Sequence, residues 1–251
     1  MSLFKSSVRA LALVAVGVSA LLSVPAAARD ASYTVTMNQD SFFGFNPSFN
    51  GLVPGSDNVD FSFYGTFWTR PSFGLGGGGG SLWTEFGVGA NFHLADDKLT
   101  IKPQIGITNG SLLSGGARRV TGGVTERGPA FADGIVPSLT MNYSDDTFEG
   151  EFYGGYYAAL RGRNSTGGQD FLHTWVNIGY KVSDTVSFGP HYELLSNTRN
   201  PVDGANKTYE WLGGYVQFKL PKGFFARLTA GADLDSDNPG DFYKMSVGMS
   251  F

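Results

Sequence analysis

The chain has 251 residues, enough for one domain of ordinary size, and holds 36 glycines with 14% aromatic and only 16% charged residues, a glycine-rich, charge-poor profile for a soluble globule. Its formal net charge of −4 speaks against a nucleic-acid partner, which would call for a basic stripe. The absence of cysteine excludes disulfides, thiolate metal sites, a cysteine nucleophile and a lipidated cysteine.

Residues 1–28 predict a cleaved signal peptide of the Sec type. Lys5 and Arg9 form a positive start, Ala10 to Leu22 an apolar run, and Ala26-Ala27-Ala28 a small-residue cleavage site. The run is shorter than the roughly 20 apolar residues that span a bilayer as a helix. Residues 29–251 are then the mature domain.

From there the chain alternates with period two in blocks of about ten residues, which places successive side chains on opposite faces of a strand. Tyr33, Val35 and Met37 alternate with Thr34, Thr36 and Asn38 in 32–40. Further strands are expected at about 42–53, 59–69, 82–92, 99–108, 134–143, 148–160, 171–182, 186–196, 207–220, 224–234 and 242–251. In 59–69, Val59, Phe61, Phe63 and Phe67 oppose Asp60, Ser62, Tyr64 and Thr66. In the last strand Tyr243, Met245, Val247, Met249 and Phe251 share one face.

The connections decide between a soluble sandwich and a membrane barrel. Short turns at 93–98, 144–147, 183–185 and 221–223 alternate with longer loops at 70–81, 109–133, 161–170, 197–206 and 235–241. Outer-membrane barrels have short periplasmic turns and longer extracellular loops, in that strict order. The expected fold is all-β, a single-chain antiparallel up-and-down transmembrane β-barrel. Both termini on one side require an even number of strands, so 32–40 makes twelve; ten, with 29–57 as a plug or periplasmic segment, is the alternative.

The apolar face ending at Phe251 resembles the C-terminal signal read by the barrel-assembly machinery of Gram-negative bacteria. Thr66-Phe67-Trp68-Thr69 and Leu82-Trp83-Thr84-Glu85-Phe86-Gly87-Val88-Gly89 are similar to an uncharacterised family of proteobacterial outer-membrane barrels. The resemblance implies a fold and a location in the cell outer membrane, with no activity or site residues to carry over.

Strand parity places Asp60, Glu85, Lys102, Glu149, Glu151, Lys181, His191, Glu193, Lys219, Arg227, Asp233 and Lys244 inside the barrel. Such residues either form a salt-bridged filling or line a wet pore whose charges tune selectivity. Trp68, Trp83, Trp175 and Trp211 fall near strand ends on the extracellular side. They are either an interfacial girdle or, as parity has it, an aromatic upper lumen. The five glycines Gly76 to Gly80 lack the following Lys-Ser/Thr of a phosphate-binding loop. Arg118, Arg119, Glu126 and Arg127 in the 109–133 loop are candidates for a mouth constriction or for lipopolysaccharide phosphates, beside the plainer reading of a solvated loop.

His93, His173 and His191 are too scattered for a zinc site. No serine stands beside them in the arrangement that hydrolysis needs, so neither an enzyme nor a cofactor is expected. The expected function is a porin-like channel for passive diffusion of small polar solutes, its partners outer-membrane lipids and lipopolysaccharide. The alternative is a non-conducting structural barrel, and a lipid-modifying barrel enzyme is the third class.

Overall fold

The computed structural model describes residues 30–68, 83–114, 117–121, 123–163, 168–201, 203–235 and 240–251. The expected signal peptide and the 70–81 loop with its glycine run lie outside the described residues. In chain order the strands are β1 (Ser32–Asp40), β2 (Gly44–Phe45), β3 (Ser48–Ser56), β4 (Val59–Trp68), β5 (Trp83–Leu94), β6 (Leu99–Gly110), β7 (Ala117–Thr121), β8 (Val124–Gly128), β9 (Ala130–Ser144), β10 (Phe148–Ala159), β11 (Asp170–Lys181), β12 (Val186–Arg199), β13 (Asn206–Lys219), β14 (Phe224–Asp233) and β15 (Gly240–Ser250).

Twelve of these, all but β2, β7 and β8, pair antiparallel with their neighbours in chain order. The first pairs with the last, from Thr34↔Ser250 to Asp40↔Lys244, and closes the ring. β2 adds a short extra strand on Gln39 and Asp40. Closure satisfies every strand edge internally, which a sheet crossing hydrocarbon requires.

The barrel is inside-out relative to a soluble protein. Val88, Ile105, Phe152, Ile178, Leu212 and Met245 are exposed on the outer face, while Ser62, Asn91, Asn177, Ser187 and Glu193 are buried within. Five short turns lie at the end that carries the termini, here the terminal end; the longer connections lie at the opposite, loop end. The turn after β5 is Ala95–Lys98, where Ala95, Asp96 and Asp97 all take positive φ (53°, 55° and 64°). Aspartate tolerates that region, and Lys98 N–H closes the turn on the Ala95 carbonyl at 3.2 Å. His93 belongs to the strand rather than to this turn.

Two expected boundaries are corrected. The strand foreseen at 42–53 begins at Ser48, because residues 41–47 turn inward. Asp40 Oδ1 accepts the Phe42 N–H at 2.9 Å, and Asn46 Nδ2 donates to Asp40 Oδ2 at 3.1 Å. The supposed long loop 109–133 is mostly ordered: β6 and β9 extend into it, and β7 and β8 form a hairpin. Arg118, Arg119, Glu126 and Arg127 are placed by backbone alone, their side chains lying outside what the structure describes.

Candidate functional site: the lumen and its mouth

A cavity of about 810 Å³ runs inside the barrel from the terminal rim, at Ser32, Phe225 and Ser250, to an aromatic layer at Phe43, Trp68 and Tyr157. Its two walls differ. Strands β1, β3, β6 and β9 contribute short neutral groups such as Thr36, Asn38, Asn50, Gln104, Thr140 and Asn142. Strands β10 to β15 contribute most of the charge, to which β1, β5 and β6 add Asp40, Glu85 and Lys102.

That charge is arranged in pairs that cross between strands. Lys219 Nζ meets Glu149 Oε2 at 3.1 Å and Arg227 Nη1 meets Glu151 Oε2 at 2.8 Å. Lys244 bonds the buried Glu193, which also accepts the Tyr209 hydroxyl at 2.7 Å and His173 Nε2 at 2.8 Å. His191 Nδ1 donates to Asn177 Oδ1 at 2.6 Å. The sequence explains the layout locally: parity aims each of these side chains inward, and charge removed from water demands a partner.

Two segments fold inward at the loop end. Phe43, from the turn after β1, crosses to the far wall and packs on Trp68 and His173, with ring centroids 6.3 and 5.9 Å away. Leu113, from the connection after β6, is fully buried with Val136, Tyr157 and Ala159. Its N–H donates to Asp133 Oδ2 at 2.7 Å, the Ser114 N–H to Oδ1 at 3.1 Å, and its carbonyl accepts the Gln169 N–H at 2.7 Å. Gly134 leaves the necessary room: a Cβ there would collide with a Leu113 methyl. Among the described residues Phe43 lines the cavity and Leu113 packs on its lining residue Tyr157, so both segments fold inward at the loop end.

Of the residues singled out in the sequence, the cavity brings together Glu85, Lys102, Glu151, His191, Glu193, Lys219, Arg227 and Lys244. Lys102 reaches toward the charge of Glu151, and Glu149 stands behind Lys219. Three residues lie apart. Asp60 sits at the terminal end against His93 Nε2, 2.6 Å away. Lys181 is taken up by Ser144 Oγ and the Asp145 carbonyl on the terminal rim. Asp233 accepts Trp211 Nε1 at 3.1 Å near the loop end.

The tryptophans hold inward positions, but their rings stack on protein. Trp175 lies on Tyr153 at 3.9 Å with Lys244 Nζ 5.5 Å from its centre. Trp211 stacks with Tyr209 at 4.0 Å and Phe242 at 4.7 Å. Trp68 meets Phe43, and Trp83 donates to Ser111 Oγ at 3.3 Å. The aromatic layer therefore serves the closure more than an open platform. Sequence reasoning missed Phe43 and Leu113; it set Thr34, Thr36 and Asn38 opposite the apolar face of the first strand, and these line the cavity.

Fold and lumen together define a porin-like transmembrane β-barrel with a polar interior. The chain belongs to a family of unknown function, DUF6733, whose model matches residues 4–251. No curated protein matches the sequence. The COG4313 outer membrane channel from Pseudomonas putida F1 has a similar structure, at 12% identity and a TM-score of 0.55, covering 92% of this chain and 97% of that one. KdgM porin aligns at 11% identity and a TM-score of 0.48, over 87% of this chain and 99% of that one. At such identities the likeness is one of fold.

Proposed function

We propose that this protein is an outer-membrane channel for small polar solutes whose outer mouth is held shut by Phe43 and Leu113. The observation that carries this reading is the polar cavity of about 810 Å³ that reaches from the terminal rim to Phe43 and to Tyr157, on which Leu113 packs. A barrel meant only as a wall has no need of an interior lined by hydroxyls, amides and charged groups. The terminal end with its short turns faces the periplasm in this reading and the loop end faces outside. Residues 1–28 direct export, the face from Tyr243 to Phe251 engages the barrel-assembly machinery, and the outer belt meets lipid and lipopolysaccharide. We read the chain as non-catalytic, and the carboxylates that His93, His173 and His191 face as structural partners.

The closed mouth favours one second reading, a non-conducting structural barrel. Planar-bilayer recording of the refolded protein, with swelling of liposomes in glycerol, separates the two. The channel reading expects conductance steps that grow when Phe43 and Leu113 are both replaced by alanine. Silence in both wild type and the double variant would overturn it and leave the structural barrel.

A further inference from the structure

Across the ladder from Thr108 stands a buried carboxyl group that no cation of the described residues pairs. Glu85 is 2% exposed and reaches the cavity. Glu149, Glu151 and Glu193 each hold a lysine or arginine, whereas among the described residues no cation lies within ion-pair distance of Glu85. What surrounds it is neutral: the Tyr64 hydroxyl donates to Oε1, and Tyr157 lines the same cavity. The neighbouring inward residue across the β5–β6 ladder is Thr108. It is 2% exposed, and its Oγ1 has no hydrogen-bond partner. An orphaned buried hydroxyl is costly and asks for an explanation.

We propose that Glu85, Thr108, Tyr64 and Tyr157 form a subsite for a primary ammonium group. An ammonium has three N–H donors and one positive charge. Glu85 supplies the opposite charge and an acceptor oxygen. The Thr108 hydroxyl supplies a second acceptor and gains the partner it lacks. The Tyr64 oxygen, having donated its hydrogen to Glu85, keeps lone pairs to accept a third, and the rings of Tyr64 and Tyr157 favour a cation near their faces. The subsite sits at the inner side of the closed mouth, so amines would concentrate there before or after passage. This assignment rests on the lumen being open to solvent, as the channel reading requires.

Ethylammonium tests it directly, by titration of the refolded full chain in detergent micelles against the near-ultraviolet dichroism of its tyrosines. Saturable binding is expected, weakened at least tenfold in Glu85→Gln and severalfold in Thr108→Val. The valine variant also removes the orphaned hydroxyl, so it should keep the resistance to unfolding in cold detergent that marks a closed barrel. Should Glu85→Gln lose that resistance, the Thr108→Val comparison decides. Unchanged affinity in a folded variant, equal binding of ethanol, or displacement by sodium at equal concentration would overturn the assignment. The titration needs no conduction, so its failure is distinct from failure of the channel reading, which bilayer recording reports.

Discussion

Phe43 and His173 touch with ring centroids 5.9 Å apart, although their strands stand far around the ring, with six strands between β1 and β11 one way and four the other. The turn after β1 therefore spans the lumen instead of capping the wall. Replacing Phe43 by alanine is expected to raise single-channel conductance while leaving the barrel closed, since the side chain is held by the mouth and not by the ladder. Bilayer recording and heat-dependent gel mobility check the two halves of that statement.

Leu113 carries more of the stability. A fully buried leucine cut to alanine costs roughly 2–5 kcal/mol, so Leu113→Ala is expected to lower the urea midpoint of the refolded barrel measurably, which Phe43→Ala should do less. Equal midpoints for Leu113→Ala and wild type would show that the mouth is not packed on this residue.

Asp133 is the anchor of the same segment through its bonds to the Leu113 and Ser114 N–H groups. Asp133→Ala removes two charge-assisted acceptors, about 1.5–3 kcal/mol each when the donors stay buried. The expected outcome is faster amide exchange confined to residues 111–114, read by mass spectrometry. Protection unchanged in that segment would mean the Gln169 contact suffices.

Within the lumen, Lys244→Met leaves Glu193 facing two histidines without its lysine. Breaking a buried pair from one side costs of order 3 kcal/mol, and Lys244 is a quarter exposed, so somewhat less is expected. The double variant Lys244→Met/Glu193→Gln should recover part of the loss, and urea titration of both reads the difference.

One turn carries a pH signature. Asp145, in the terminal-end turn after β9, accepts the Tyr143 hydroxyl at 2.6 Å and the Thr147 and Phe148 N–H groups at 2.7 Å each. The Tyr143 hydrogen bond first, then the two backbone bonds, hold its pKa down at about 2 from an ordinary 3.8. A depressed carboxylate stabilises the fold fully above its ordinary value, and that contribution is lost as pH falls from there toward about 2. Wild type should therefore lose stability over that window relative to Asp145→Asn, in melting curves taken from pH 5 to pH 2.

Much of this molecule was legible because a barrel imposes period two on every strand, so parity alone aimed Glu193 and Lys244 inward and Val247 outward. Partnership was not legible. Glu151 and Arg227 are 76 residues apart, and only strand tilt and stagger, set by the closed ring, bring them level. The inward turn at 41–47 was hidden for a different reason. Phe42 and Phe43 read as strand residues, and the side chains of Asp40 and Asn46 override that tendency by capping the backbone. A bulge conceals the rest: between Leu195 and Ser196 the ladder skips Thr208, which turns Lys207 outward to meet Glu210 at 2.8 Å.

The seam between β1 and β15 has a kinetic consequence. Tyr33 and Phe251 exchange two backbone bonds of 2.9 Å, while every other neighbouring pair of barrel strands is a near-sequence hairpin. Hairpins zip early because their contacts are local, and the single long-range pairing waits for both of its strands to exist. An open, twisted ribbon with two unsatisfied borders must therefore precede the finished cylinder, and its vulnerable interval ends only when the last strand docks on the first.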